Sequence, residues 1–224
     1  MKRYIIVVLF VCVFVGTSYC QQMTIDDADI TTYRSFQIES WYGSYESWLL
    51  PAVSPLPFLE ISAGTSFNTY GTFRHNSWLF EGKFLSGDLE KKGRALSFVA
   101  GTLLQSDFNS VKNVYAYVPY SFLLFDSESV LHMNVGVFSD IDNGKWDVGA
   151  LYGIRADVHV YDYIFILSEL YTTDFELPGF QIGFRAVIID ELLEVDVTWG
   201  RGFEKGIEEP GLNIGVAYTP DKMW

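Results

Sequence analysis

From Ser35 to the C-terminus, apolar residues in this chain recur at every second position, and that period of two, rather than 3.6, restricts it to sheet. A strand points successive side chains to opposite faces, so alternation describes a sheet with one apolar and one polar side. Near the end of the chain, Leu212, Ile214, Val216 and Tyr218 share one face, and Asn213, Gly215, Ala217 and Thr219 share the other. Leu193, Val195, Val197 and Trp199 oppose Glu194, Asp196, Thr198 and Gly200 in the same way. Phe180, Ile182, Phe184 and Ala186 oppose Gln181, Gly183 and Arg185; Trp146, Val148, Ala150, Tyr152 and Ile154 oppose Asp147, Gly149, Gly153 and Arg155. A soluble sheet meets bulk water with its polar face and is poor in glycine there. Glycine mixed with charges suits the inside of a narrow barrel, where space is short. The pattern predicts an all-β, up-and-down antiparallel transmembrane β-barrel, with a soluble secreted β protein as the competing reading.

About twelve stretches alternate in this way, at 35–42, 46–52, 58–67, 77–85, 94–104, 113–123, 129–138, 146–156, 163–171, 179–188, 193–200 and 211–219. Most have the roughly 9–11 residues of a tilted membrane-crossing strand, and the second is short. Ten strands remain the alternative if the first two do not span. Turn-rich pieces such as Asp140-Ile141-Asp142-Asn143-Gly144 separate them, and the longest connection, Arg201 to Pro210, is still modest. Short loops disfavour adhesins and large porins, which build function from long ones.

The N-terminus reads as an export signal. Lys2 and Arg3 precede an apolar run from Tyr4 to Val15, too short for the roughly 20 residues of a spanning helix. Ser18 and Cys20 then sit at −3 and −1 if cleavage precedes Gln21; lipidation of Cys20 is the alternative, against which Tyr19 is a poor neighbour. Residues 1–20 are thus expected to be removed, 21–34 to form a flexible N-terminal leader, and 35–224 to form the barrel. Both cysteines, Cys12 and Cys20, leave with the signal, taking thiolate and disulfide chemistry with them. The remaining 13 basic and 28 acidic residues give a balance of −15, which argues against a nucleic-acid partner.

The last strand, Gly211-Leu-Asn-Ile-Gly-Val-Ala-Tyr-Thr-Pro-Asp-Lys-Met-Trp224, resembles the terminal signal of outer-membrane proteins, with Asn213, Gly215 and Tyr218 matching and Pro220 standing where a second aromatic is usual. That resemblance implies a partner, the barrel-assembly machinery. Across most of Gln37 to Gly202 the chain also resembles a family of uncharacterised proteobacterial, Gram-negative outer-membrane barrels, some of whose relatives carry a transporter label. The similar stretches are Gln-Ile-Glu-Ser-Trp-Tyr at 37–42, Leu-Glu-Ile-Ser-Ala-Gly at 59–64, Ala-Tyr-Val-Pro-Tyr-Ser at 116–121, Leu-His-Met-Asn-Val-Gly at 131–136 and Asp-Val-Thr-Trp-Gly at 196–200. The resemblance implies a cell outer-membrane location and adds no mechanism.

Candidate chemistry is sparse. His75, His132 and His159 show no metal-ligand spacing, and neither a metal nor a cofactor is expected. His75 is expected in a loop. His132 and Asn134 share the polar face of one strand; lipid-hydrolysing barrels pair a histidine with a serine, but the motif His-x-Ser-Asn is absent, so a lumenal hydrogen-bond network is the expected role and no residue is assigned to catalysis. Alternation places Glu39, Glu60, Glu81, Lys83, Asp147, Arg155, Asp157, Arg185, Glu194 and Asp196 in the lumen, with Glu169 ambiguous because Phe165 and Leu167 share its face. These charges either pair and fill the barrel or line a cation-favouring path. Trp78, Phe80, Phe84, Trp146, Tyr152, Phe184, Val197, Trp199 and Tyr218 are expected outward, toward lipid. With Ile188 opposite Leu193, Arg185 should face Asp196 across adjacent strands, or Glu194 after a two-residue slip. The function expected is a passive channel or small-solute transporter; the alternatives are a plugged barrel that serves as an envelope scaffold or binds a partner protein, and a lipid-modifying hydrolase.

Overall fold

The computed structural model describes residues 23–124, 128–142, 145–173, 179–190, 192–204, 209–220 and Met223. The expected signal peptide, 1–20, and the terminal aromatic Trp224 lie outside the described residues. Twelve strands are present: β1 Phe36–Gly43, β2 Glu46–Leu56, β3 Leu59–Asn68, β4 Arg74–Asp88, β5 Arg94–Gln105, β6 Val111–Leu124, β7 Ser129–Asp142, β8 Lys145–Tyr161, β9 Ile164–Thr173, β10 Gly179–Ile189, β11 Leu193–Gly202 and β12 Pro210–Tyr218. Each pairs antiparallel with its chain neighbours, and β12 closes on β1, so the sheet is a closed barrel. The ten-strand alternative is set aside, and β2 is longer than its alternation suggested.

Among the described residues a single short helix, α1 Leu89–Lys92, turns β4 into β5. The Asp88 carboxylate accepts from Lys91 N at 2.9 Å, and Gly93, at φ 67°, donates its N–H to the Leu89 carbonyl in a left-handed cap that favours glycine. No described helix is long and apolar enough to cross a membrane.

Burial is inverted relative to a soluble protein. Gln181, Thr198, Asn213, Lys83 and Arg155 are buried, whereas Phe184 is 60% exposed, Val135 63% and Trp199 46%. The outward set matches the alternation: Phe80, Phe84, Trp146, Tyr152, Val197 and Tyr218 are exposed, and Trp78 is half-buried because it stacks on Phe108 at 5.0 Å. An apolar outer wall of this kind suits hydrocarbon, which satisfies no polar group. The compact apolar packing lies inside instead, where Trp41 and Leu50 meet Trp48 and Leu79.

The chain enters β1, and leaves β12, at the end where β2 turns into β3 and β4 into β5; this is called the turn end. The opposite, loop end is where β3 joins β4, β5 joins β6 and β11 joins β12. The β10–β11 register sets Arg185 opposite Asp196, as expected. A shift between Val187 and Ile189 then places Ile189, not Ile188, opposite Leu193.

The N-terminal leader departs from the sequence expectation. Residues 23–33 are not a loose tail: Met23, Ile25, Ala28 and Thr31 are buried inside the barrel, and Arg34, at φ 65°, turns the chain from the lumen into the wall.

Candidate functional site

The N-terminal segment lies in the lumen with no strand partner, so its peptide groups must find partners among wall side chains. Glu169 accepts from Thr24 N at 3.0 Å and Ile25 N at 2.9 Å, and Arg155 Nη1 donates to the Ile25 carbonyl at 2.7 Å. With its amide assigned so that nitrogen meets the carbonyl and oxygen meets the N–H, Asn134 donates to the Asp26 carbonyl at 2.9 Å and accepts from Asp26 N at 2.8 Å. Ser121 Oγ accepts from Ala28 N at 2.8 Å, Ser97 Oγ donates to the Ala28 carbonyl, and Glu60 accepts from Thr31 N at 2.6 Å. Charge adds to this dock. Lys83 Nζ lies 3.1 Å from Asp26 and 3.4 Å from Asp27, and Tyr117 Oη donates to Asp26 at 3.1 Å.

Small wall residues make the room. Ala95, Ser97 and Ser121 are buried where Ala28 lies. At Gly153 any Cβ would stand 2.3 Å from Ile25 Cδ1 and 2.6 Å from the Leu170 carbonyl, so only glycine lets the segment seat against β8.

A second cluster joins β8, β10 and β11. Arg185 makes a two-pronged contact with Asp196, Nε–Oδ1 at 2.9 Å and Nη2–Oδ2 at 3.0 Å. The same guanidinium reaches Glu194 at 3.2 Å and Asp157 at 3.3 Å. Arg155 holds Asp157 along its own strand, Nε–Oδ1 at 2.8 Å. Both acidic partners expected for Arg185 are therefore engaged at once, and Asp157 joins them.

The alternation placed most candidates correctly. Glu39 accepts from Gln37 Nε2 at 2.6 Å, and Glu81 accepts from Tyr115 Oη at 2.7 Å. Glu60, Lys83, His132, Asn134, Arg155 and Asp157 are buried on the inner face. Glu169 is inward beside fully buried Leu167, which resolves its ambiguity. Asp147 departs from the expectation. It lies near the start of β8, opposite Asp140, and is exposed rather than buried in the lumen. His75 also departs, lying in β4 with Nε2 2.7 Å from Thr65 Oγ1 rather than in a loop.

Ser121, His132 and Asp157 come together as a triad would. Ser121 Oγ is 2.8 Å from His132 Nδ1, and His132 Nε2 is 3.7 Å from Asp157 Oδ2, beyond hydrogen-bond reach. Ser121 is fully buried and its oxygen is occupied by the Ala28 amide, so no substrate carbonyl can meet it while the segment is seated.

Two cavities flank the segment. One of about 480 Å³ opens at the turn end among Asp27, Asp29, Glu39, Glu60, Lys83, Arg185 and Glu194. The other, of about 810 Å³, opens at the loop end among Trp41, Trp48, Leu79, Tyr115, Tyr117 and Glu46. The leader's acidic run Asp26-Asp27-Ala28-Asp29, set against a lumen that holds Lys83 and Arg155, is the signal in the sequence that could have revealed the dock. Among the inward aromatics, Trp41 shares the face of Gln37 and Glu39 and was within reach of alternation, whereas Trp48, Tyr115 and Tyr117 lie in β2 and β6, neither of which has a cleanly polar face.

Twelve antiparallel strands, an apolar exterior and a polar lumen occupied by the chain's own N-terminal segment define a barrel of the outer-membrane type. The chain belongs to the family described as Uncharacterised conserved protein UCP029691, whose model matches residues 16–217. Among solved structures it is similar to "OmpT (in-vitro folded), an outer membrane protein Vibrio cholerae (trimer form)", at TM-score 0.36 and 9% identity, over 84% of this chain and 98% of that one. A comparison with curated proteins finds no match.

Proposed function

We propose that this protein is an outer-membrane channel for small solutes, held closed by its N-terminal segment. One observation carries the reading: the lumen is not packed solid but keeps cavities of about 480 and 810 Å³ on either side of one docked segment. A permanently filled scaffold gains nothing from such voids, whereas a channel needs only one obstruction moved. The apolar wall and the export-signal pattern at 1–20 support a Gram-negative outer membrane, with the turn end and both barrel termini in the periplasm. The C-terminal strand would be the part read by the barrel-assembly machinery. The Ser121–His132–Asp157 group is read as part of the dock rather than as a catalytic site, because the segment covers Ser121.

The test is conductance in planar bilayers of the full mature chain and of a form lacking 23–33. The mature chain should be closed or flicker rarely, and the shortened form should conduct steadily. If the shortened form does not fold, the Asp26→Asn, Asp27→Asn double variant loosens the same dock without shortening the chain, and should raise open probability. A folded, segment-free barrel that stays silent would overturn the channel reading and favour the scaffold.

A further inference from the structure

We propose that the loop-end cavity is a binding site for an organic cation with an apolar body, such as an aromatic or alkyl quaternary amine. This deepens the channel reading by naming a solute class. Binding itself does not require the N-terminal segment to move.

Two aromatic pairs stand on the inner wall. Trp41 and Trp48 are direct cross-strand partners on β1 and β2, stacked with ring centroids 5.9 Å apart and planes 22° apart. Tyr115 and Tyr117, on β6, stack at 5.9 Å and 26°. Each pair carries a carboxylate held by one of its own donors. Trp48 Nε1 donates to Glu46 at 2.9 Å, and Tyr115 Oη donates to Glu81 at 2.7 Å. All of these residues line the same cavity, whose volume is that of a drug-sized ligand site.

The charge balance selects the ligand. Among the described residues lining this cavity there is no lysine, arginine or histidine. Nor does any described base form an ion pair with Glu46 or Glu81; the lumen's bases are committed elsewhere, Lys83 to Asp26 and Asp27, Arg155 to Asp157, and Arg185 to Asp196. Lys112 is one residue removed from Glu46: its Nζ donates to Asn76 Oδ1 at 3.2 Å, and Asn76 Nδ2 donates to Glu46 at 2.6 Å. A cavity walled by aromatic faces and oriented carboxylates, without a countercharge, is complementary to a cation that also has an apolar surface. The ring quadrupoles attract its charge, the carboxylates neutralise it, and the apolar wall accepts its body. An anion would meet only repulsion there.

The test uses the full mature protein, folded in nonionic detergent and checked by heat-modifiable gel mobility, with tryptophan emission as the readout. The probes are trimethyl(2-phenylethyl)ammonium, neutral 2-phenylethanol, the anion 3-phenylpropionate, and methyl glucoside as a neutral sugar. The cation should bind saturably and about tenfold more tightly than the neutral analogue, with no measurable binding of the anion. The Glu46→Gln, Glu81→Gln double variant should abolish that preference while leaving the weak neutral binding in place. If it fails to fold, Glu46→Gln alone, nearer the rim, should lower the preference by roughly threefold. Equal binding of cation and neutral analogue, binding of the sugar but not the cation, or a preference that survives loss of both carboxylates would overturn the proposal. Failure here with a conducting segment-free barrel leaves the channel reading standing. Cation binding to a barrel that never conducts leaves this site standing and removes the channel.

Discussion

The two halves of the lumen are built by different rules. At the turn end, acids and bases meet in direct contact: Lys83 holds Asp26 and Asp27, and Arg185 spans Asp157, Glu194 and Asp196. At the loop end the carboxylates of Glu46 and Glu81 take hydrogen bonds from aromatic donors, and tryptophan and tyrosine faces form the wall. In the first half every base is ion-paired and the chain's own segment is docked, although acids outnumber bases there. The second has no base among its described lining residues and is open. Charge placed in a confined, poorly hydrated space must be paired or it is costly, so the paired half is fit to hold a segment and the unpaired half is fit to accept a ligand.

The sharpest way to break this contrast is at Lys83, whose side chain is only 6% exposed. Lys83→Met would remove the base that holds Asp26 and leave Asp27 with only the more distant Arg155, at 3.9 Å. It should lower folding stability by about 3 kcal/mol, release the segment and raise conductance. Adding Asp26→Asn should recover part of the loss. A urea midpoint equal to wild type would show that the turn end is hydrated and that the pairing there is incidental. Arg185 is more exposed, at 22%, and its removal should cost less, about 2 kcal/mol. The Arg185→Ala, Asp196→Ala double variant should be more stable than the sum of its single changes predicts. Additive losses would mean that this corner of the lumen is a wet path like the loop end.

Faces and register are legible in the sequence because a period of two admits only two phases, and one of them turns every aromatic of β10, β11 and β12 outward together. Alternation and a short turn are therefore enough to set Arg185 opposite Asp196, even though a shift near Ile189 alters the turn beneath it. The leader is not legible in the same way. Its peptide groups bond to Glu169, Asn134, Ser121 and Glu60 rather than to a ladder, so it carries no period, and a short acidic stretch reads the same whether it is solvated or docked. Asp147 escapes for a related reason: alternation fixes a face but not how near an open end of the barrel a residue stands, and Asp147 is exposed near the start of β8. Trp48, Tyr115 and Tyr117 are hidden because alternation marks an inner face by its polarity, and the loop-end half of this one is largely aromatic; Trp41, on the face of Glu39, is legible.

At the loop end, smaller effects are expected from equivalent changes. Trp48→Phe keeps an aromatic face against Trp41 and removes the donor to Glu46, one hydrogen bond worth about 1 kcal/mol. Thermal unfolding in detergent should move by that amount, and conductance of the segment-free barrel should persist. A loss as large as that of Lys83→Met would mean that the aromatic wall carries the fold, and that the division between a structural half and a receptive half is wrong.

The weakest expected effect, and the most specific to the turn end, is a pH dependence carried by Asp29. This residue lies in the segment, near the mouth, outside the strands. Burial and then the charge of Asp27 push its carboxyl up to about 6 from an ordinary value of 3.8, with Lys83 opposing them and Glu90 and Asp88 adding to the rise. A carboxyl whose value is raised in the docked state favours docking in its protonated form. Its contribution is therefore complete below about 3.8 and is lost as pH rises through about 6. Asp29→Asn mimics the protonated form at every pH. Hydrogen exchange of the peptide covering 23–33, compared between wild type and variant at the same pH, cancels the intrinsic pH dependence of exchange. The two should be equally protected near pH 4, and the variant better protected at pH 7. A ratio that does not change between those values would show that Asp29 is solvated in the docked state, and that of the segment's three acids only Asp26 and Asp27 help to hold it.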